Sequence, residues 1–278
     1  MLHLTRAVAA WGFEFQFASD DAVLAELVEH CYRDLPAATG GRPATLRADR
    51  VGAVYDLSIE RADLPVEVCS EGRSAPALFE LLVWEVNRRA RASVADRTVL
   101  HAAVFGGAAG AVVLCGSSGS GKSTLSAAAA GRGWRHFSDD LGLVDVEHRT
   151  VTPYARPIML RAGGRQHLGD VLVDDRYRQF FVDEWFVPAS ALGATTAPGP
   201  RALVAVGVLG WGATAGIEPL SRARTLLALT EHSATLADRG AAGFDELARL
   251  AQRVPGYSVT LGTTADVLDL LAPLVGAG

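Results

Sequence analysis

Gly116-Ser117-Ser118-Gly119-Ser120-Gly121-Lys122-Ser123 is the stretch on which the reading of this chain turns. It fills every fixed position of the pattern G-x-x-x-x-G-K-[ST], and Thr124 follows it. The spacing describes a backbone curl. Glycines let successive N–H groups turn inward toward an anion. A helix that starts where the loop ends adds the positive end of its dipole. In such a loop the lysine, here Lys122, reaches the β- and γ-phosphates of a triphosphate, and the Ser123 hydroxyl is the expected Mg²⁺ ligand. The surroundings suit this reading. Ala111 to Cys115 is an apolar, strand-like run before the loop, and Leu125-Ser126-Ala127-Ala128-Ala129 continues it as a helix. A Gly/Ser linker would not stand between two such segments. ATP with Mg²⁺ is therefore the expected ligand of Gly116 to Thr124.

Working outward, Thr98 to Phe105 reads as a strand. With Ala111 to Cys115 it flanks Gly106-Gly107-Ala108-Ala109-Gly110, the composition of a hairpin connection. The helix after the loop is expected to run from Lys122 to about Ala130, stopped by Gly131 and Gly133. Ser138-Asp139-Asp140 then precedes a strand over Leu141 to Val146. Asp139 stands seventeen residues after Lys122, where a phosphate-loop protein places a metal-organising carboxylate. Two adjacent acids there can divide the work, one on Mg²⁺ and one accepting the proton of an attacking hydroxyl. The plain alternative is a solvated Asp-Asp turn. His101, fifteen residues before Gly116, gains a role only if the hairpin brings it beside these acids.

Residues 1 to about 95 read as a small α+β unit. Trp11 to Phe17 alternates as a half-buried strand. Ser19-Asp20-Asp21 offers helix-capping chemistry to Ala22 to Leu35. Pro36 to Pro43 is a loop, Val51 to Ile59 and Leu64 to Cys69 are strand-like, and Pro76 to Ala92 is a helix in which Trp84 is expected in the core. Beyond the Asp pair, Thr152 to Leu160 is strand-like, Arg161 to Arg178 reads as a surface excursion, and Phe180 to Phe186 as a strand. Ala202 to Leu209 is a buried strand, Ser221 to Leu236 and Gly243 to Gln252 are helical, Tyr257 to Leu261 is a strand and Ala265 to Val275 a closing helix.

Of the 278 residues, 49% are apolar or aromatic, enough for a core without staples. A net charge of −5 carries no footprint of nucleic-acid binding. Three widely spaced cysteines make no metal pattern and suit reduced thiols in a cytosolic protein. The N-terminus lacks signal-peptide character. The longest apolar-looking stretch, Ala102 to Cys115, is shorter than the roughly 20 residues a spanning helix needs. A soluble, cytoplasmic protein with no membrane or nucleic-acid partner is expected.

His101-Ala102-Ala103-Val104-Phe105, the loop Gly116 to Thr124, and Gly133-Trp134-Arg135-His136-Phe137-Ser138-Asp139-Asp140, taken in this order, resemble the HPr kinase/phosphorylase family. The shorter HPr-kinase-related proteins are the nearer likeness. It covers residues 98 to 146 and continues more loosely through Tyr154-Ala155-Arg156-Pro157, Arg161 and Ala202 to Leu236. The resemblance implies an α/β fold: a P-loop kinase core of the HPr kinase / phosphoenolpyruvate carboxykinase type over residues 96–278, behind a small α+β N-terminal domain over residues 1–95. It implies Asp139 as the base for the acceptor hydroxyl, assisted by His101, with Asp140 on the metal side beside Ser123. Arg156 and Arg161 become candidate contacts to phosphate or acceptor.

Proteins of this size in the family are associated with tailoring of ribosomally made peptides such as lasso peptides. The implied acceptor is thus the serine hydroxyl of a peptide or protein. A small-molecule kinase acting on a sugar or amino acid, and a non-catalytic nucleotide sensor, are the alternatives. Family members can be hexameric, which leaves a homo-oligomer open. Two departures matter. The loop ends Lys-Ser-Thr where HPr kinases usually carry Lys-Ser-Glu, and the Gly-rich signature after the Asp pair is missing. Both make HPr itself, and reverse phosphorolysis, doubtful.

Overall fold

The strand Thr98–Gly106 alternates between two hydrophobic faces. Leu100, Ala102 and Val104 point to one side, and Ala103 and Phe105 to the other. Its hairpin partner Ala111–Cys115 does the same, with Val113 and Cys115 on the first face and Val112 and Leu114 on the second. Period-two alternation with both faces apolar requires cover on both sides. Helices Arg222–Glu231 and Leu236–Arg253 cover the first face through Leu229, Leu247 and Leu250. Helices Lys122–Gly131 and Thr264–Val275 cover the second through Leu125, Ala129, Val267 and Leu271.

The computed structural model describes residues 1–161, 164 and 175–277. The fold is mixed α/β, with several sheets and six helices among the described residues. The chain divides into two units. The first holds Met1–Val94 together with the described residues 175–188, and the second holds the remainder. The second-domain segment expected from sequence therefore loses residues 175–188 to the first unit. Most of the expected surface excursion over Arg161 to Arg178 lies outside the described residues.

In the first unit the strands His3–Leu4, Phe13–Ser19, Ala44–Val51, Val54–Glu60 and Glu67–Arg73 form one sheet in that order, with Val8–Ala10 also paired to Phe13–Ser19. Phe15, Phe17, Leu46, Leu57 and Ile59 are its buried face, and Leu24, Leu27, Phe79 and Val86 of helices Ala22–Cys31 and Ala75–Ala92 are buried as well. The Asp21 carboxylate caps the first helix by accepting from the Val23 and Leu24 amides, as the Ser-Asp-Asp run implies. Trp84 departs from expectation. It is 56% exposed, and its ring carries the Arg88 guanidinium 5.5 Å from its centroid. Asn87 and Arg88 share its turn, so the core stripe runs through Leu78, Leu82 and Val86 instead.

The second unit holds a nine-stranded sheet. Ala111–Cys115, Arg201–Trp211 and Gly256–Leu261 lie parallel and adjacent within it. Arg135–Ser138 and Leu141–Asp145 run antiparallel to Thr98–Gly106, one after the other, with Asp139 and Asp140 in the break between them. Among the described residues no helix is long and apolar enough to cross a membrane.

Leu114 is 1% exposed in the centre of the second hydrophobic face. Leu114→Ala is expected to cost about 2–5 kcal/mol in urea unfolding. The exposed Leu270→Ala should stay within about 0.5 kcal/mol, and similar losses at both sites would contradict this packing.

Candidate functional site

Gly116–Gly121 leaves the strand Ala111–Cys115 and turns into the helix Lys122–Gly131. Two of its glycines are conformationally required. Gly119 has φ +81° and Gly121 has φ +94°, the left-handed region that L side chains rarely adopt. A Cβ on Gly121 would also come within 2.6 Å of Leu261 Cδ2. Gly121 is the helix N-cap and offers no side chain, so the first helical amides have no side-chain cap and open toward the cavity in front of them. That cavity measures about 570 Å³, within the range of small-ligand pockets. Ser118, Gly119, Gly121, Lys122, Ser123 and Thr124 line its floor.

Lys122 is only 7% exposed, and burial pulls its ammonium below the usual lysine range while Asp140 and Asp139 work against the shift. Its Nζ donates to the carbonyls of Gly116 at 2.6 Å and Ser117 at 3.0 Å. A cation is thus held at the mouth of the loop beside the helix start.

The Asp pair sits where Ser138 bends the chain. The Ser138 hydroxyl accepts from the Asp140 and Leu141 amides, and the Asp140 carbonyl accepts from the Ala102 amide. The two carboxylates then point into different surroundings. Asp139 is 2% exposed, and its Oδ2 accepts from the Ser123 hydroxyl at 3.0 Å and the Met159 amide at 3.1 Å. Its Oδ1 lies 3.3 Å from Arg156 Nε but makes no hydrogen bond among the described residues. Burial pushes this carboxyl above the usual range against the opposing charge of Arg156. Asp140 keeps 29% of its side chain exposed. Burial opposes its charge too, but Arg156 at 2.7 Å and His101 at 3.0 Å prevail, and its carboxyl is held down at about 2.

The register explains His101. Leu141 stands opposite His101 across the sheet, so the histidine projects beside the break that carries the acids. It lies on the same side of its strand as Ala103 and Phe105, the side covered by the loop's own helix. Its Nδ1 meets Asp140 Oδ1, and 41% of the ring remains exposed on the cavity wall.

The structure brings together the loop, Lys122, Ser123, Asp139, Asp140 and His101. It rearranges the expected pairing. His101 meets Asp140 rather than Asp139, and Ser123 meets Asp139 rather than Asp140. The two acids lie in the bend between the strands, which turns Asp139 inward and Asp140 outward. Arg156, a candidate contact to phosphate or acceptor, is 3% exposed and engages the two acids. The Tyr154 amide donates to the Phe137 carbonyl and so anchors this segment two residues before Asp139. Arg161 does line the cavity. Sequence reasoning missed Met159, which contributes through its backbone amide, and Trp211 and Gly262 to Thr264 on the far wall. It also passed over His232, whose carbonyl accepts from the His101 amide at 2.7 Å.

A hard-cation site fits the donor set. Ser123 and Asp139 supply oxygens of the kind a hard cation takes. No group of three or more His, Cys, Asp or Glu residues able to hold a metal occurs among the described residues. Mg²⁺ needs no such cage, because one or two carboxylates and the phosphates of a nucleotide suffice.

Arg156→Leu leaves Asp139 buried without its counter-charge, which should cost about 3–5 kcal/mol at neutral pH. The Asp139 carboxyl, already raised above 3.8, would rise further. Folding above that pH then requires proton uptake, so the deficit should grow as pH rises. Urea midpoints of wild type and variant at pH 5 and pH 8 test this, and an equal deficit at both would contradict the assignment. No family model matches the chain, and no curated protein matches its sequence.

Proposed function

We propose that this chain is an ATP- and Mg²⁺-dependent kinase that phosphorylates a serine-type hydroxyl of a peptide or protein. The observation that carries the reading is the convergence in one cavity of the glycine loop, Lys122, the Ser123–Asp139 pair and the His101–Asp140 pair. Triphosphate binding alone has no use for a histidine held on a carboxylate beside the lysine. The resemblance to HPr-kinase-related proteins supports the same reaction, a kinase core of that type, and the peptide or protein acceptor.

The loop amides and the Lys122 ammonium hold the triphosphate and neutralise charge on its transferring end. Lys122 exchanges two carbonyl partners for phosphate oxygens, so little rearrangement of the chain is required. Ser123 and Asp139 would hold Mg²⁺, which would offset negative charge on the phosphates. Asp140 keeps its charge at neutral pH and fixes the imidazole of His101 through Nδ1. A carboxylate held so low is a weak base, which leaves His101 Nε2 to take the proton of the acceptor hydroxyl. The hydroxyl oxygen bonds to the γ-phosphorus as the bond from the β,γ-bridging oxygen to that phosphorus breaks, and ADP leaves. Asp139 and Asp140 thereby exchange the roles that the resemblance alone implies.

Mass spectrometry of candidate peptides, proteins and metabolites, incubated with the chain, ATP and Mg²⁺ beside a Lys122→Ala control, tests the reading. One phosphate on a peptide or protein serine, absent in the control, is expected. Asp140→Asn should lower kcat by about 10²- to 10⁴-fold with ATP affinity little changed. Asp139→Asn should raise the Mg²⁺ concentration needed for half-maximal turnover. Wild-type turnover in Asp140→Asn would sink the role exchange, and ATP binding without transfer to any acceptor would favour a nucleotide sensor.

A further inference from the structure

The cavity has a second end that the chemistry above does not use. Ala111–Cys115, Arg201–Trp211 and Gly256–Leu261 are parallel, and all three reach the cavity at their carboxyl ends. Ligands of α/β sheets gather at that edge. The first of these strands delivers the glycine loop. The second ends on Trp211, whose register partner on the third is Leu261. Gly262, Thr263 and Thr264 follow and complete the wall. His101 and the Asp pair come from the opposite side of the loop strand, across the hairpin. The site is therefore polarised, with charged groups at one end, the glycine loop in the middle and an aromatic wall at the other.

Trp211 is held in a particular way. Trp211 is 64% exposed, yet its Nε1 donates to the Gly119 carbonyl at 3.0 Å. One edge of the indole is pinned to the crest of the loop, while much of its surface stays open. The loop packs directly on this wall. A Cβ at Gly121 would stand 2.6 Å from Leu261 Cδ2 and 3.4 Å from the Trp211 ring. The Thr263 hydroxyl is engaged in capping the helix Thr264–Val275 through the Asp266 amide. What remains is an exposed indole on the cavity wall beside the glycine loop, which matches a planar, aromatic ligand group attached to phosphates.

We propose that Trp211, backed by Leu261 and Gly262 to Thr264, is the stacking platform for the nucleobase of the bound triphosphate. The proposal rests on the reading of the loop as a triphosphate site and adds the group that tells a nucleotide from a bare polyphosphate. A triphosphate laid along the loop then runs from His101 and the Asp pair at its γ end to Trp211 at its base end.

Titration calorimetry with two probes, ATP and inorganic tripolyphosphate, each with Mg²⁺, tests it on wild type, Trp211→Ala and Trp211→Phe. Trp211→Ala should weaken ATP about tenfold or more, and leave tripolyphosphate within about twofold. Trp211→Phe keeps an aromatic face but loses the bond to Gly119, and should hold ATP within about threefold. Equal weakening of both probes by Trp211→Ala would overturn the proposal and make Trp211 a brace of the loop. No weakening of either, or tripolyphosphate binding wild type as tightly as ATP, would overturn it while the phosphate site stands. If neither probe binds wild type, the reading of the loop falls, and the platform with it.

Discussion

Two adjacent carboxylates, one of them almost wholly buried, meet a single buried guanidinium in this protein, and the site depends on that balance. Like charges side by side in a medium of low dielectric do not both stay ionised unaided. Arg156 supplies the compensation, and it does so unequally. Its Nη1 lies 2.7 Å from Asp140, while its Nε lies 3.3 Å from Asp139. The acid with the closer cation and the histidine keeps its charge down to low pH. The deeper acid is pushed the other way and is left with a hydroxyl, an amide and one oxygen without a hydrogen bond. A planar guanidinium can span two carboxylates at once, which a lysine ammonium does less well. The division of labour between Asp139 and Asp140 follows from where that one side chain sits.

The sheet makes the meeting possible. Thr98–Gly106 is bonded along both edges, to the loop strand on one side and to the broken strand of the Asp pair on the other. That places His101 between the loop and the acids. Tyr154, tied to the Phe137 carbonyl, brings Arg156 to the same point from a later segment. Four stretches distant in the chain thus reach one cavity through ladder bonds and packed apolar faces, which hold a site more firmly than loops alone.

Much of this was legible in the sequence, for identifiable reasons. The glycine loop announced itself because its spacing is a backbone requirement. The hairpin before it was legible because Gly106 to Gly110 separates two apolar runs, and the helix after it because Gly131 and Gly133 stop it. The strand Ala44–Val51 went unread because its inward positions include two alanines, and small residues blur alternation. That residues 175–188 cluster with the first unit was not legible, because a short 3₁₀ turn and a four-residue strand carry no periodicity. The site was legible in membership more than in pairing. A break between two strands decides which acid faces inward, and composition does not report such breaks. Arg156 lies before Pro157 in an extended segment without periodicity, and its burial depends on contacts far away in sequence. Trp211 lies beyond the strand end read from sequence, and its place beside the loop follows from the parallel neighbours.

The most direct test of the account is an experimental structure with a non-hydrolysable ATP analogue and Mg²⁺. In it the Lys122 ammonium should leave the Gly116 and Ser117 carbonyls for phosphate oxygens, the metal should be held by Ser123 and Asp139, and the γ-phosphate should face His101 and Asp140. A nucleotide bound elsewhere, with Lys122 still on those carbonyls, would contradict it.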